Sequence, residues 1–240
     1  MGLHIGTSGW AYPEWRPGFY PAGLPQSRFL THYAGEFTAC EVNTTFYGLQ
    51  SQDAVASWAG ATGDGFRFAA KAHRRLTHTA GMAPGGAWLG FLREFLASLA
   101  PLGERLGALL FQYPPTRARD DEGLAAVLEA LAGLPFAIEF RHESWAAAEV
   151  EEAIASGGGT VCISETEGLV PDRLPAGPRA YVRMRADRYS EAARDAWLEL
   201  LRREAATRPV FAFAKHKDIP AGDPLGGVGL AQWLVQRAGA

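Results

Sequence analysis

Short apolar stretches recur along the chain, and helical patterns separate most of them. Within several stretches apolar and polar residues alternate, which is typical of strands with one buried face. The predicted strands cover residues 3–7, 66–71, 108–112, 136–140, 160–164, 180–185 and 210–214, and a further one begins at Ala39 with an alternation that continues to Tyr47. Helices are predicted over 26–36, 52–59, 87–100, 122–132 and 230–237, and another ends before the glycines at 157–159. We therefore expect each strand to be followed by a helix or a helix-like segment.

The alternation places polar side chains on one face of several strands. Glu41 and Asn43 share a face, opposite Cys40 and Val42. The same parity predicts inward positions for Arg67, Lys71, Glu139, Arg141, Tyr181, Arg183 and Arg185. Strands of an open sheet covered on both faces read instead as continuous apolar runs, and the GTSGW that ends the first strand does not match the glycine-rich phosphate loop of such sheets. The sequence thus predicts an α/β fold, a closed (β/α)8 TIM-barrel-like single domain over residues 1–240, in preference to an open doubly wound sheet.

Composition limits the classes of partner. The chain has 240 residues and a formal net charge of −3, which argues against a generally basic nucleic-acid-binding coat. It contains no run of about 18 apolar residues, and the strand-like pattern starts at Leu3, which leaves no room for a signal segment. A cytoplasmic protein without membrane partners is expected. Cys40 and Cys162 lie in separate apolar strands and are predicted to be buried free thiols.

Several motifs together resemble one known family. They are GTSGW at 6–10, WRPGFYPAG at 15–23, EVNTTFY at 41–47, FRFAAK at 66–71, FQYPP at 111–115 and EFRHESW at 139–145. The chain resembles the domain-of-unknown-function 72 family, also called YecE-like. The resemblance implies a TIM-barrel-like fold with these motifs at the carboxyl ends of the strands, and no established activity. Many members carry Asn-Asn-His after the eighth strand, where this chain has Ala214, Lys215 and His216; of these positions only His216 matches.

The carboxyl ends of the strands are the reactive face of such barrels, and positive charge is concentrated there. The candidate substrate-binding residues are Glu41, Asn43, Lys71, Arg141, Arg183, Arg185, Lys215 and His216, with Trp10 and Tyr12 from an aromatic loop that is either a lid or a stacking platform. A cationic mouth on a net acidic protein attracts anions, and arginine matches phosphate or carboxylate in two-point contact. The sequence predicts a site for a small anionic ligand or nucleic acid.

The chemistry at this site has several interpretations. His142 is the candidate proton carrier, because imidazole titrates near neutral pH, and Glu139 would orient it or act as the base. Lys71 offers Schiff-base chemistry if neighbouring arginines lower its pKa. A purely structural alternative is that Glu41 and Glu139 form internal ion pairs with Arg67, Arg141 or Arg183.

A metal site would draw on Glu41, Glu139, His142, Glu165 and His216. No His-x-His or His-Glu-x-x-His spacing is present in the sequence, and cations compete at the rim, so neither a metal nor another cofactor is predicted. The resulting hypothesis is an enzyme, a hydrolase or lyase, that acts on a phosphate-bearing or other anionic substrate. A non-catalytic module that binds nucleic acid or protein is the first alternative, and a metal-dependent phosphoesterase-like barrel is the second.

Overall fold

A barrel of parallel strands surrounded by helices forms the fold. The computed structural model describes residues 2–79, 82, 84–215 and 219–239. Its strands are β1 (Leu3–Thr7), β2 (Ala39–Val42), β3 (Arg67–Lys71), β4 (Leu106–Gln112), β5 (Phe136–Glu139), β6 (Thr160–Glu165), β7 (Ala180–Met184) and β8 (Val210–Ala214). Its α-helices are α1 (Phe29–Glu36), α2 (Gln52–Gly60), α3 (Gly86–Leu99), α4 (Asp121–Ala130), α5 (Ala148–Ser156), α6 (Glu191–Ala205) and α7 (Gly227–Ala238). The (β/α)8 prediction is confirmed.

The pleat of the strands separates two apolar cores, as the alternation predicted. The inner core consists of Ala39, Ala69, Ala108, Leu110, Ala137, Cys162, Tyr181, Phe211 and Phe213. The outer core lies between the strands and the helices and contains the opposite parity, for example Cys40, Phe68 and Ile138. Because Ala39 and Ala137 point inward, Glu41 and Glu139 two residues further on point inward as well. Both cysteines are buried and free, as expected.

Side chains, together with a backbone hydrogen bond from the Thr38 amide to the Ile5 carbonyl (3.1 Å), close the barrel between β1 and β2. Hydrogen-bonded pairing runs in parallel from β1 through β8, β7, β6, β5, β4 and β3 to β2. At the remaining seam, the Tyr33 hydroxyl accepts a hydrogen bond from the Thr7 amide (2.7 Å) and donates one to the Ala39 carbonyl (3.1 Å). The backbones approach so closely that a Cβ on Gly6 would lie 1.8 Å from the Ala39 oxygen. A tyrosine oxygen thus replaces a direct backbone hydrogen bond.

Two local expectations were wrong. The strand that begins at Ala39 ends at Val42 and does not continue to Tyr47, because residues 44–46 form a 3-10 turn in which the Thr45 hydroxyl bonds the carbonyls of Val42 and Lys71. Secondly, no helix follows β6: residues 166–179 are irregular. This connection carries prolines at 171, 175 and 178, which lack the amide donors that a helix needs.

No α-helix among the described residues is both long enough and apolar enough to span a membrane.

Candidate functional site

A buried triad of charged side chains forms the floor of the barrel mouth. Arg183, on β7, donates to the Glu41 carboxylate at 2.9 Å and to the Glu139 carboxylate at 2.7 Å. Each of the three residues is at most 3% exposed. Burial of a charge is tolerated when it is paired and hydrogen-bonded, and one guanidinium here satisfies two carboxylates. The expected internal ion pairs are therefore present. Arg67 takes no part in them, because its guanidinium bonds the carbonyls of Asp64 and Phe66.

Glu41 has further hydrogen-bond donors around it. The hydroxyl of Ser8 donates at 2.9 Å, that of Tyr181 at 2.8 Å, and the amide of Asn43 at 3.2 Å. Burial by itself would raise the pKa of this carboxyl, but the charge of Arg183 and these hydroxyl donors lower it from 4.5 to about 2. Glu41 is consequently an anion at every pH at which the protein is expected to work.

Glu139 is paired on both of its oxygens. One accepts from Arg183, and the other accepts from Nε of Arg141 at 3.0 Å. Burial opposes ionisation, yet the charges of Arg183 and Arg141 and the side chain of Gln112 hold the pKa of Glu139 below its usual value. Arg141 itself keeps 45% of its side chain exposed. Glu139, the predicted base, is thus ionised, and both of its oxygens accept hydrogen bonds from arginines. Arg141 extends from Glu139 to solvent.

Lys71 lies at the end of β3 beside this floor. Its ammonium donates to Oε1 of Gln112 at 2.7 Å and lies 4.2 Å from the centre of the Phe46 ring. It forms no ion pair with any carboxylate in the described parts of the chain. Burial, followed by the charge of Arg183, lowers the pKa of Lys71 to about 8. Neighbouring arginines were the cause considered from the sequence, but desolvation contributes more to this lowering than Arg183 does.

Arg185 immediately follows β7, on the same side of the strand as Arg183. It is only partly exposed, and burial together with the nearby charge of Arg183 lowers its pKa. Within the described ranges its guanidinium has no hydrogen bond and no ion pair. Arg185 is thus a partly exposed cation of the mouth, and it has no acceptor among the described residues.

His142 and Glu139 are not hydrogen-bonded to each other in the described structure. Nδ1 of His142 accepts a hydrogen bond from the Ser144 amide at 3.2 Å and so caps the 3-10 turn Glu143–Trp145. In the neutral ring the proton then resides on Nε2. His142 borders a cleft of about 570 Å³ that Arg141, Cys162 and Arg173 also line. The imidazole therefore borders a cleft next to α5, and its described hydrogen bonds are to Ser144 and not to the floor of the mouth.

The remaining predicted residues lie around the rim or outside it. Trp10 packs edge-on against Trp58 and Phe68 in the outer core. The hydroxyl of Tyr12 donates to the Ser8 carbonyl at 2.7 Å, and burial, with Glu41 among the contributing charges, raises the pKa of Tyr12. Lys215 pairs with Asp187. His216 lies outside the described residues. Of the two predicted aromatic residues, Trp10 and Tyr12, Tyr12 is the one near the charged floor.

The described residues contain no group of three or more His, Cys, Asp and Glu side chains arranged to hold a metal ion. Glu165, which was considered as a ligand, accepts hydrogen bonds from the Tyr189 hydroxyl (2.5 Å) and from the amides of Glu167 and Leu169.

Some residues of the site were missed from the sequence. Gln112 ends β4 two residues after the inward-facing Leu110. The alternation along this strand therefore predicts that Gln112 also points inward. Tyr181 was assigned to the inner face, but its bond to Glu41 depends on the barrel bringing together residues 140 positions apart. The ring of Phe46 near Lys71 follows from the 3-10 turn after β2, which the sequence did not predict.

Eight parallel strands with a charged floor at their carboxyl ends define a TIM-barrel-like protein. The family model described as "Protein of unknown function DUF72" matches residues 4–236, and the chain belongs to that family. It is 30% identical over 158 residues to UPF0759 protein YecE of Escherichia coli, a match that covers 65% of this chain and 54% of that protein. The chain thus spans about half the length of the curated relatives it matches.

Solved structures show the same fold at lower identity. A DUF72 family protein from Thermotoga maritima is 20% identical, with a TM-score of 0.79 and full coverage of both chains. A D-psicose 3-epimerase is 13% identical, with a TM-score of 0.52 and coverage of 98% of this chain and 90% of that one. At these identities the similarity establishes the barrel and does not establish the reaction.

Proposed function

We propose that the mouth of the barrel binds a small molecule through its phosphate or carboxylate group. The charges at the mouth are the first support. Four cationic side chains, Lys71, Arg141, Arg183 and Arg185, accompany two carboxylates, Glu41 and Glu139. Both carboxylates are already ion-paired, so the mouth carries an excess of about two positive charges. Such an excess of charge on partly buried side chains raises the local concentration of anions.

Arg185 carries the proposal. Its guanidinium is partly exposed and has no hydrogen-bond acceptor among the described residues. An anion with two coplanar oxygens supplies the missing acceptors in two-point geometry. Arg141, which reaches from Glu139 to solvent, offers a second contact to the same anion.

The catalytic part of the proposal concerns proton transfer by His142. Its Nδ1 is occupied by the Ser144 amide, so Nε2 is the ring atom that would exchange a proton with a substrate. Glu139 is held ionised by Arg183 and Arg141, and its role would be to position those arginines. A non-catalytic module that binds its anion without turnover is the second candidate, favoured by the pairing of both buried carboxylates.

The test uses inorganic phosphate as the probe. Wild-type protein is melted in rising sodium phosphate at constant ionic strength, and the midpoint should increase with phosphate because the folded state binds it. Arg185→Met should abolish most of that increase. Arg93→Met is the matched control, since Arg93 is exposed on α3, and it should keep the wild-type response. Equal phosphate responses in wild type and Arg185→Met would exclude the site.

The two candidate functions differ in their dependence on His142. For an enzyme, His142→Ala should remove turnover of a phosphate ester while the phosphate-dependent rise in melting temperature persists. For a binding module, wild type and His142→Ala should both bind phosphate, and neither should turn over the ester.

A further inference from the structure

Lysine is rare in this chain, and one of the few lysines lies inside the barrel mouth. The sequence contains three lysines, Lys71, Lys215 and Lys217, among 23 basic residues, so the other twenty are arginines. Lys215 is paired with the Asp187 carboxylate, and Lys217 lies outside the described residues. Lys71 ends an inner strand face whose neighbouring cations, Arg141, Arg183 and Arg185, are all arginine. A lysine at this position suggests chemistry that a guanidinium does not perform.

The ammonium of Lys71 has no carboxylate partner among the described residues. Its described contacts are the neutral oxygen of Gln112 at 2.7 Å and the ring of Phe46 at 4.2 Å, and neither neutralises its charge as a carboxylate would. Burial and the charge of Arg183 lower the pKa of Lys71 to about 8, so about a tenth of the molecules carry a neutral amine at neutral pH. The side chain is also partly exposed, so solutes can reach it.

We propose that Lys71 is a nucleophile that forms an imine with the carbonyl group of an aldehyde or ketone whose carboxylate or phosphate is bound by Arg185. The proposal rests on the anion site described under Proposed function. It adds the substrate class, an anionic carbonyl compound, and a covalent step. Arg185 and Lys71 both lie within electrostatic range of Glu41, Glu139 and Arg183, so they border the same floor.

The step balances without a further reagent. The lone pair of the neutral Nζ attacks the carbonyl carbon, and the carbonyl oxygen takes up a proton to give a carbinolamine. Loss of that hydroxyl with a proton from nitrogen releases one water and leaves the C=N bond. An arginine could not replace the lysine, because its guanidinium stays protonated, whereas a desolvated lysine beside other cations is a recognised nucleophile for carbonyl carbons.

The test is reductive trapping. Wild-type protein is incubated with pyruvate or with dihydroxyacetone phosphate in the presence of cyanoborohydride, which reduces an imine to a stable secondary amine. Peptide mass spectrometry then assigns the label, and the small number of lysines makes the assignment unambiguous. Lys71 should be labelled at least tenfold faster than Lys215, which serves as the internal reference. Acetone, a ketone without an anionic group, should label Lys71 much more slowly, and inorganic phosphate should slow labelling by the anionic probes.

Variants and outcomes separate this inference from the proposed function. Lys71→Arg keeps the charge and should lose the label; if it does not fold, the wild-type peptide map still decides. Phosphate stabilisation that depends on Arg185 without preferential labelling of Lys71 would overturn the imine and leave the anion site standing. Preferential labelling of Lys71 that is equally fast with acetone, or in Arg185→Met, would support the nucleophile and overturn the anion site. Equal labelling of Lys71 and Lys215 would overturn the imine.

Discussion

Replacement of Glu41 by glutamine should reduce stability in a way that depends on pH. The carboxyl of Glu41 is fully buried, and its pKa is lowered from 4.5 to about 2 by Arg183 and hydroxyl donors, against the effect of burial. At about 1.4 kcal/mol for each pH unit, that difference corresponds to roughly 3 kcal/mol of stability. Because the folded-state pKa is the lower one, this contribution is complete above the unfolded-state value and disappears as the pH falls toward 2.

The assay is urea unfolding of wild type and Glu41→Gln between about pH 7 and about pH 3. The difference in unfolding free energy between the two proteins should shrink by about 2 kcal/mol over this range, since most of the titration lies below pH 4.5. Glu129→Gln, an exposed carboxyl on α4, is the control and should change the pH profile little. A difference between wild type and Glu41→Gln that stays constant across the range would refute the stabilisation of the Glu41 anion by Arg183.

Three further substitutions test the framework of the barrel. Tyr33→Phe removes the hydroxyl that joins β1 to β2 and should cost about 1–3 kcal/mol in urea unfolding, because two buried backbone groups lose their partner. Gly6→Ala places a Cβ 1.8 Å from the Ala39 oxygen and should lower the melting temperature sharply, whereas Gly35→Ala, where no atom lies within 4 Å, should not. Asp120→Ala removes the side-chain cap of α4 and should cost about 1 kcal/mol, measured in the same urea assay.

The alternation of polar and apolar residues along the strands predicted many of the residues at the site. Inward parity placed Glu41, Glu139 and Arg183 on the floor of the mouth, because a strand offers its side chains to two faces in strict alternation. The alternation does not predict which inward-facing side chains contact each other. Arg183 on β7 bridges both carboxylates because the closed barrel brings β7 within reach of β2 and β5, and that distance depends on strand tilt and register.

Other features depend on backbone geometry that no local pattern specifies. His142 has the residue type of a proton carrier, but its Nδ1 lies where it caps the following turn. Trp10 has the residue type of a stacking platform, but its ring packs against Trp58 in the outer core. The lack of a partner for Arg185 within the described ranges is likewise a property of the assembled mouth, since the alternation shows where a side chain points and not what it meets.

The tyrosine oxygen between β1 and β2 links the wall of the barrel to its mouth. For the Thr7 amide hydrogen to exchange with deuterium, the Tyr33 hydroxyl must withdraw from it. Just above, the Ser8 hydroxyl crosses the same seam to Glu41. Separation of β1 from β2 would therefore also disturb the hydrogen bond between Ser8 and Glu41. A ligand that stabilises the charged floor should for this reason slow deuterium uptake at the Thr7 amide. The rate of deuterium exchange at the Thr7 amide thus reports whether a ligand is bound at the mouth of the barrel.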